Sequence, residues 1–161
     1  MYDCFIKIDG IDGESTDDKH AKWIEPLSYS FGASQAIGSA VSTGARSVGR
    51  VDLQDFSIVK ELDSASCKLF DYCAGGKPIK KVNLELCRPD GAKQVFFKVD
   101  LEDVLVTSYQ PSGQAGGTLP SESVTFNFAK ITVTYSKSNH DTGKGEGDIT
   151  ASWDQALNKA G

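Results

Sequence analysis

Residues 124–135 read VTFNFAKITVTY, and this stretch decides the fold class. Up to Phe128 its apolar side chains occupy every second position, which is the period of a strand with one buried face. The alternation slips at Ala129 and resumes at Ile131. Because a slip of one residue turns every later side chain to the other face, the pattern predicts a long, bulged strand. Such a strand suits a barrel corner or a strand shared by two sheets.

Similar alternation extends through most of the chain. It covers residues 2–8, 27–31, 51–58, 82–86, 95–99 and 101–109. A second slip, at Gln54-Asp55, predicts another bulge. The sequence RPDG at 88–91 predicts the turn of a hairpin, because proline presets the turn and glycine tolerates a positive φ.

One segment has a helical period instead. Ser66, Leu69, Phe70 and Cys73 fall at i, i+3, i+4 and i+7, which predicts a helix over about 64–74 that ends at Gly75. We expect its apolar side chains to pack on the strands, and we expect three others to face outward: Lys68, Asp71 and Tyr72. With 161 residues and no internal repeat, the chain predicts one mainly β domain over 1–161.

Three stretches are rich in small or polar residues. Residues 36–50, AIGSAVSTGARSVGR, predict a flexible loop. Residues 110–120 predict a flexible connector, and residues 138–148 predict a second one before a short tail. The role of the whole segment 138–161 is left open at this point.

Charge and composition exclude several classes of protein. The chain has 17 basic and 22 acidic side chains, a net charge of −5, so nucleic acid and anionic membranes are poor partners. It has no apolar run long enough to span a membrane and no signal-peptide pattern at its N-terminus, which predicts synthesis in the cytosol. Four cysteines without a C-x-x-C spacing predict small buried apolar side chains in a reducing compartment.

Candidate catalytic residues are few. His20 and His140 both lie in polar surroundings and are interpreted as solvated loop histidines. Ser47 lies in ARSVG, close to a nucleophile elbow, but no helix follows it. The acidic stretch 9–18 lacks the spacing of a calcium loop, and the glycines of 143–147 lack that of a phosphate loop. The sequence therefore predicts no catalytic, metal or cofactor site.

Four segments, in order, carry a resemblance to a known family. They are FIKIDGIDGES at 5–15, LSYSFGASQ at 27–35, DFSIVKELDSAS at 55–66 and VTFNFAKI at 124–131. Together they resemble the haemolysin-coregulated protein family, which builds the tube of the bacterial type VI secretion system. The resemblance extends over nearly the full length of the chain.

The resemblance implies a barrel-like sandwich of two antiparallel sheets with one flanking α-helix. It also implies homohexameric rings that stack into a tube inside a contractile sheath. That tube carries a spike protein and effector proteins, and it is expelled from the cell. The family is expected to be non-enzymatic, to need no cofactor and to be related in fold to phage tail-tube proteins.

The segment 36–50 matches the extended loop of that family in position. We expect it to contact the adjacent ring through Ser39, Ser42, Arg46, Ser47 and Arg50. The two arginines are expected to meet acidic groups across the stack.

Three other interpretations remain open on the residues alone. The chain could be a phage tail-tube protein, which differs in its genomic neighbours rather than in its physics. It could be a monomeric β-sandwich that binds sugars or peptides. It could also be a secreted hydrolytic effector, which would require an activity that depends on Ser47.

Overall fold

The computed structural model describes residues 1–39, 46–138 and 145–161. In chain order the elements are β1 (Asp3–Ile8), β2 (Ser28–Ser30), β3 (Ala33–Ser39), β4 (Arg46–Leu53), β5 (Phe56–Glu61), α1 (Ser66–Gly75), β6 (Ile79–Cys87), β7 (Val95–Ser112), β8 (Ser121–Ser138) and β9 (Gly145–Asp154). Strands dominate the described ranges, so the mainly β prediction is confirmed.

A seven-stranded antiparallel sheet is built around one long hairpin. Its order is β1-β6-β7-β8-β5-β2, and β9 also pairs with β8. β7 and β8, each 18 residues long, pair from Phe97 opposite Tyr135 to Ser112 opposite Ser121. The turn predicted at 88–91 is confirmed, since it joins β6 to β7. Its positive φ, however, is at Lys93 (43°) and not at Gly91 as expected.

Both long strands change face at one point. On β7 the alternation of buried side chains shifts by one residue between Leu101 and Val104, and on β8 it shifts between Phe128 and Ile131. The two changes lie opposite each other, because Val104 pairs with Phe128. Asp103 has a φ of 52°, a left-handed conformation that few non-glycine residues adopt. The change of face predicted after Phe128 is therefore confirmed, and it marks the corner at which the sheet curls. The bulge predicted there is wrong, because the β7–β8 register is continuous from Leu101–Ile131 to Val104–Phe128 and shifts instead between Val106 and Ser108.

The curled sheet encloses one core. On one side of the corner β6 pairs with β7, β9 pairs with β8, and β1 pairs with the outer edge of β6. On the other side β5 pairs with β8. Strands from both sides bury side chains in the same cluster, including Ile6, Ile58, Leu84, Leu101, Val124 and Phe126. The result is the predicted barrel-like sandwich with one flanking helix.

The bulge predicted at Gln54-Asp55 is wrong. Leu53 ends β4, which belongs to a separate two-stranded sheet with β3, and Phe56 begins β5 in the large sheet. The phase of the apolar pattern changes there because two strands of different sheets meet.

The predicted helix is confirmed with slightly shifted ends. It begins at Ser66 rather than at 64, and Gly76, not Gly75, takes the left-handed conformation after it, with a φ of 60°. Asp63 organises its start, because its Oδ1 accepts a hydrogen bond from the Ala65 N–H at 2.9 Å. No helix within the described ranges is long and apolar enough to cross a membrane.

The packing face of α1 differs from the prediction. Leu69 is fully buried and Cys73 packs against the core, as expected. Phe70, however, is 61% exposed, and Tyr72, expected to face outward, packs against the core. The helix packs on β7, with Leu69 in the core and Phe70 mostly in solvent, where the Phe70 ring meets Tyr109 edge-on at 6.2 Å.

Strand β9 replaces part of the predicted connector. Residues 145–148 pair with the end of β8, so they are strand, and the connector prediction is wrong for them. The same holds for residues 110–112, which are the last three of β7, and for Ser138 at the end of β8. In each case residues of low β-propensity form a strand because their backbone pairs with a long neighbouring strand. Residues 139–144, including His140, lie outside the described residues.

Candidate functional site

The segment predicted to be a flexible loop is a hairpin for most of its length. β3 and β4 pair antiparallel from Ala33 opposite Leu53 to Ser39 opposite Arg46, with an irregularity after Gln35. Gln35 Nε2 also donates to the Gly49 carbonyl at 2.8 Å. The loop prediction is therefore wrong for residues 36–39 and 46–50, because cross-strand hydrogen bonds form despite the glycine- and serine-rich composition. Residues 40–45 lie outside the described part of the chain.

The five residues expected to contact a neighbouring ring fall at different places on this hairpin. Ser39 and Arg46 pair at the far end of its described part, and Ser47 lies opposite Gly38. Ser42 lies outside the described residues. Ser47 is thus within a strand rather than at a strand-to-helix turn, the position that a nucleophile elbow requires.

Arg50 contacts its own chain. Its Nη2 donates to the Gln155 carbonyl at 2.9 Å. Gln155 in turn donates from its backbone N–H to Ala129 O at 2.8 Å and from Nε2 to Phe128 O at 2.7 Å. Arg50 therefore connects the hairpin to the corner of the large sheet.

An apolar pair on the hairpin was not predicted. Ile37 and Val48 lie directly opposite each other on β3 and β4. Their side chains are 59% and 72% exposed, respectively. Two neighbouring apolar side chains on a projecting hairpin are suited to burial against another surface. The signal in the sequence was the pair of β-branched residues among glycine and serine, which the loop interpretation overlooked.

A buried polar network lies where β5 meets α1. Lys60 and Glu122 are fully buried, and they are paired across β5 and β8. Lys60 Nζ lies 2.6 Å from Glu122 Oε2 and 2.8 Å from Asp63 Oδ1. The Tyr109 hydroxyl donates to the other carboxylate oxygen of Glu122. Because each charge has partners, the network holds the start of α1 against the sheet.

The interpretation of His20 as a solvated histidine is wrong. Its side chain is 2% exposed and stacks on Phe5 with a ring separation of 4.2 Å. Nδ1 lies 2.8 Å from Asp17 Oδ2, and Nε2 lies 2.7 Å from Glu85 Oε2. The loop that holds Asp17 and His20 covers the outer face of β6, so the polar neighbours in sequence become a buried cluster.

The cysteines are all free, but they do not share one environment. Cys87 is buried, Cys4 and Cys73 are half-buried, and Cys67 is exposed on α1, so the prediction of buried thiols is wrong for Cys67. Burial, followed by the carboxylates of Glu85 and Asp3, raises the pKa of Cys87 to about 11. Burial also raises the pKa of Cys4 to about 12.

Comparison with known proteins decides the family. The model of the family described as "Type VI secretion system effector, Hcp" matches residues 5–135. This chain belongs to the Hcp family of type VI secretion system proteins. Protein hcp1 of Pseudomonas aeruginosa is 35% identical to it over 152 residues, which cover 94% of this chain and 93% of that protein.

Solved Hcp structures share the fold. A type six secretion system protein aligns over 100% of both chains with a TM-score of 0.94 and 34% identity. Hcp1 from Salmonella typhimurium aligns over 99% of this chain and 98% of its own, with a TM-score of 0.80 and 34% identity. The family and fold predicted from the four segments are thus confirmed, and Hcp is a structural family rather than a known family of enzymes.

The structure explains the GIDGES turn of this Hcp chain, residues 10–15. Gly10 has a φ of 82°, which favours glycine. A Cβ on Gly13 would lie 2.5 Å from the Trp23 carbonyl oxygen, so only glycine fits beside that backbone. Ser15 accepts a hydrogen bond from the Asp17 N–H at 3.2 Å and donates one to Glu25, also at 3.2 Å. The motif therefore shapes the loop that buries His20.

Proposed function

We propose that this protein is the tube subunit of a type VI secretion system. Six copies close into a ring, and rings stack into a tube inside the contractile sheath. The tube is made in the cytosol, carries the spike and effector proteins, and is expelled from the cell. Membership of the Hcp family supports the class of function, and the projecting hairpin with its exposed Ile37–Val48 pair is the observation that carries the assembly.

Ring closure requires two different surfaces of one protomer to meet on neighbouring copies. The curled sheet offers strand edges for this contact. Within the described chain β9 pairs only with β8, and β2 only with β5. Backbone N–H and C=O groups along such edges can pair with the edge of a neighbouring copy.

Ring stacking is assigned to the β3–β4 hairpin. Burying Ile37 and Val48 against the next ring would remove apolar surface from water. This stabilises the contact by roughly 25 cal/mol for each Å² of apolar surface buried. Ser39, Ser42, Arg46 and Ser47 would add polar contacts near the tip. Arg50 would join them while bonded to Gln155, because a guanidinium has five N–H donors and only Nη2 is used there.

Transport in the tube needs neither catalysis nor a cofactor in this chain. The proposed partners are other copies of the chain, the spike, the sheath and effectors in the lumen. With a net charge of −5, neither nucleic acid nor membrane insertion is part of the proposal.

The stacking role is tested by placing a charge on the hairpin. Val48→Asp should leave the mass of the ring unchanged and abolish tubes. Electron microscopy measures tube formation, and release of the protein into the medium is measured in cells that have the complete apparatus. Leu157→Asp is the matched control, because Leu157 is also mostly exposed, at 62% against 72% for Val48, but lies outside the hairpin. Replacing residues 39–47 by a tight turn should act like Val48→Asp. Tubes and release at the parent level in both hairpin variants would contradict the stacking role.

A further inference from the structure

The cluster around His20 contains three side chains with the donor atoms of a metal site. His20 Nε2, Glu85 Oε2 and Cys87 Sγ come from a loop and from β6, and the three ligand atoms all lie within 4.8 Å of one another. Nε2 is 2.7 Å from the Glu85 oxygen and 3.9 Å from the Cys87 sulfur. We propose that His20, Glu85 and Cys87 bind one zinc ion per chain.

The hydrogen bonds of His20 call for a cation. Asp17 Oδ2, 2.8 Å from Nδ1, accepts a hydrogen bond from an N–H on that nitrogen. A neutral imidazole has a single N–H, so Nε2 then has none to offer the Glu85 carboxylate that faces it. The contact at Nε2 needs either a second proton or a metal ion.

Asp17 orients His20 so that its Nε2 can bind a metal ion. Metal-bound histidines typically donate their other ring N–H to a carboxylate, which fixes the tautomer and the orientation of the ring. Asp17 does this here, and the Phe5 and Trp23 rings hold the imidazole from two sides, with centroids 4.2 Å and 4.7 Å away. The Nε2 lone pair is thereby directed at Glu85 and Cys87.

The donor set selects the metal. One imidazole, one thiolate and one carboxylate suit zinc, which binds nitrogen and oxygen at about 2.0 Å and sulfur at about 2.3 Å. Around a tetrahedral zinc these ligand atoms lie roughly 3.3–3.5 Å apart. The sulfur and Nε2 are within about 0.5 Å of that separation. Glu85 must move away from Nε2 by a similar amount, and its side chain is 20% exposed on the solvent side of the cluster.

The proposed zinc would link the loop of residues 14–24 to β6. Three protein ligands leave the fourth position for a water molecule. Because Glu85 is partly exposed, the ion has a path from solvent. Zinc would therefore strengthen the cover over the outer face of β1 and β6.

Cys87 loses its thiol proton to solvent when the ion binds, so the sulfur coordinates as a thiolate. Cobalt titration tests the site, because a cysteine thiolate bound to Co²⁺ gives a charge-transfer absorption. The full-length chain without a histidine tag is stripped with a chelator and titrated with CoCl₂, and then with ZnCl₂. The result expected is one Co²⁺ per chain with a thiolate charge-transfer band, which one equivalent of Zn²⁺ removes.

Two variants and a control locate the ligands. The band should vanish in Cys87→Ser and remain in Cys67→Ser, whose cysteine is exposed on α1. Glu85→Gln should weaken Co²⁺ binding at least about tenfold, and it keeps the test valid if Cys87→Ser does not fold. No charge-transfer band in the parent protein, or a band that persists in Cys87→Ser, would overturn the site. His20 would then be held by its hydrogen bonds to Asp17 and Glu85 without a metal ion.

Discussion

Lys60 and Glu122 lie directly opposite each other on β5 and β8, with Nζ 2.6 Å from Oε2 and both side chains fully buried. Asp63 and Ser66 join the same ammonium group, at 2.8 Å and 3.3 Å from Nζ. One cross-strand pair therefore connects the large sheet to the first turn of α1. Taking either charge away leaves the other buried without its main partner.

Removal of one member of this pair should be costly. We expect Glu122→Gln to lower the free energy of unfolding by about 3 kcal/mol. The control is Lys77→Met, which breaks the ion pair with Asp71, where both side chains are at least half exposed. That change should have little effect on stability, because solvent screens an exposed ion pair. Guanidinium unfolding at fixed protein concentration measures both, and equal losses would contradict the structural role of the buried pair.

The same pair predicts an acid dependence of stability. Burial disfavours the carboxylate of Glu122, but hydrogen bonds from Lys60, Tyr109 and Ser66 outweigh burial and hold its pKa below the ordinary value of 4.5. In the unfolded chain Glu122 takes up a proton near that ordinary value, while the folded protein resists until lower pH. Stability from this group is therefore complete above about pH 4.5 and is lost as the pH falls below it.

Unfolding midpoints measured from pH 7 down to about pH 3 test this dependence. The midpoint of the parent protein should fall more steeply on the acid side than that of Glu122→Gln. Parallel pH profiles for the two proteins would show that another group is responsible.

Two neighbouring residues of α1 should differ sharply in their effect. Leu69 is fully buried in the core, whereas Phe70 lies mostly in solvent. Leu69→Ala should cost about 2–5 kcal/mol. Phe70→Ala should cost less than about 1.5 kcal/mol, since it removes the edge contact with Tyr109 and little buried area. A larger loss for Phe70→Ala in thermal unfolding would mean that α1 packs with the face the sequence predicts.

Two glycines in different turns give another matched comparison: Gly13 after β1, and Gly91 between β6 and β7. Gly13→Ala should destabilise the protein, because the added Cβ would lie 2.5 Å from the Trp23 carbonyl oxygen and the backbone would have to shift. Gly91→Ala adds a Cβ with no atom within 4 Å. We expect a loss of about 1–3 kcal/mol for the first and less than about 0.5 kcal/mol for the second. Similar melting temperatures for both variants would contradict the close packing of residues 10–15 on Trp23.

The sequence predicted those parts of the fold that depend on local pattern. The slip after Phe128 marks the corner, RPDG at 88–91 forms a turn, and the helical period over about 64–74 gives α1. These features depend on side-chain periodicity and turn chemistry, both of which can be read along a few residues.

The features that the sequence did not predict depend on tertiary pairing. Lys60 and Glu122 are far apart in the chain, and only the register of β5 on β8 brings them together. His20 stands among polar residues, and only the path of its loop over β6 buries it. The β3–β4 hairpin resembles a loop in composition, because backbone hydrogen bonds rather than side-chain propensity form it.

The mass of the purified protein in solution, from size exclusion with light scattering over a range of concentrations, tests whether this Hcp chain is a ring-forming tube subunit. A peak at about 104 kDa, six times the 17.3 kDa of one chain, is the result we predict. A particle of 17.3 kDa at every concentration would contradict ring formation and would favour a monomeric binding module.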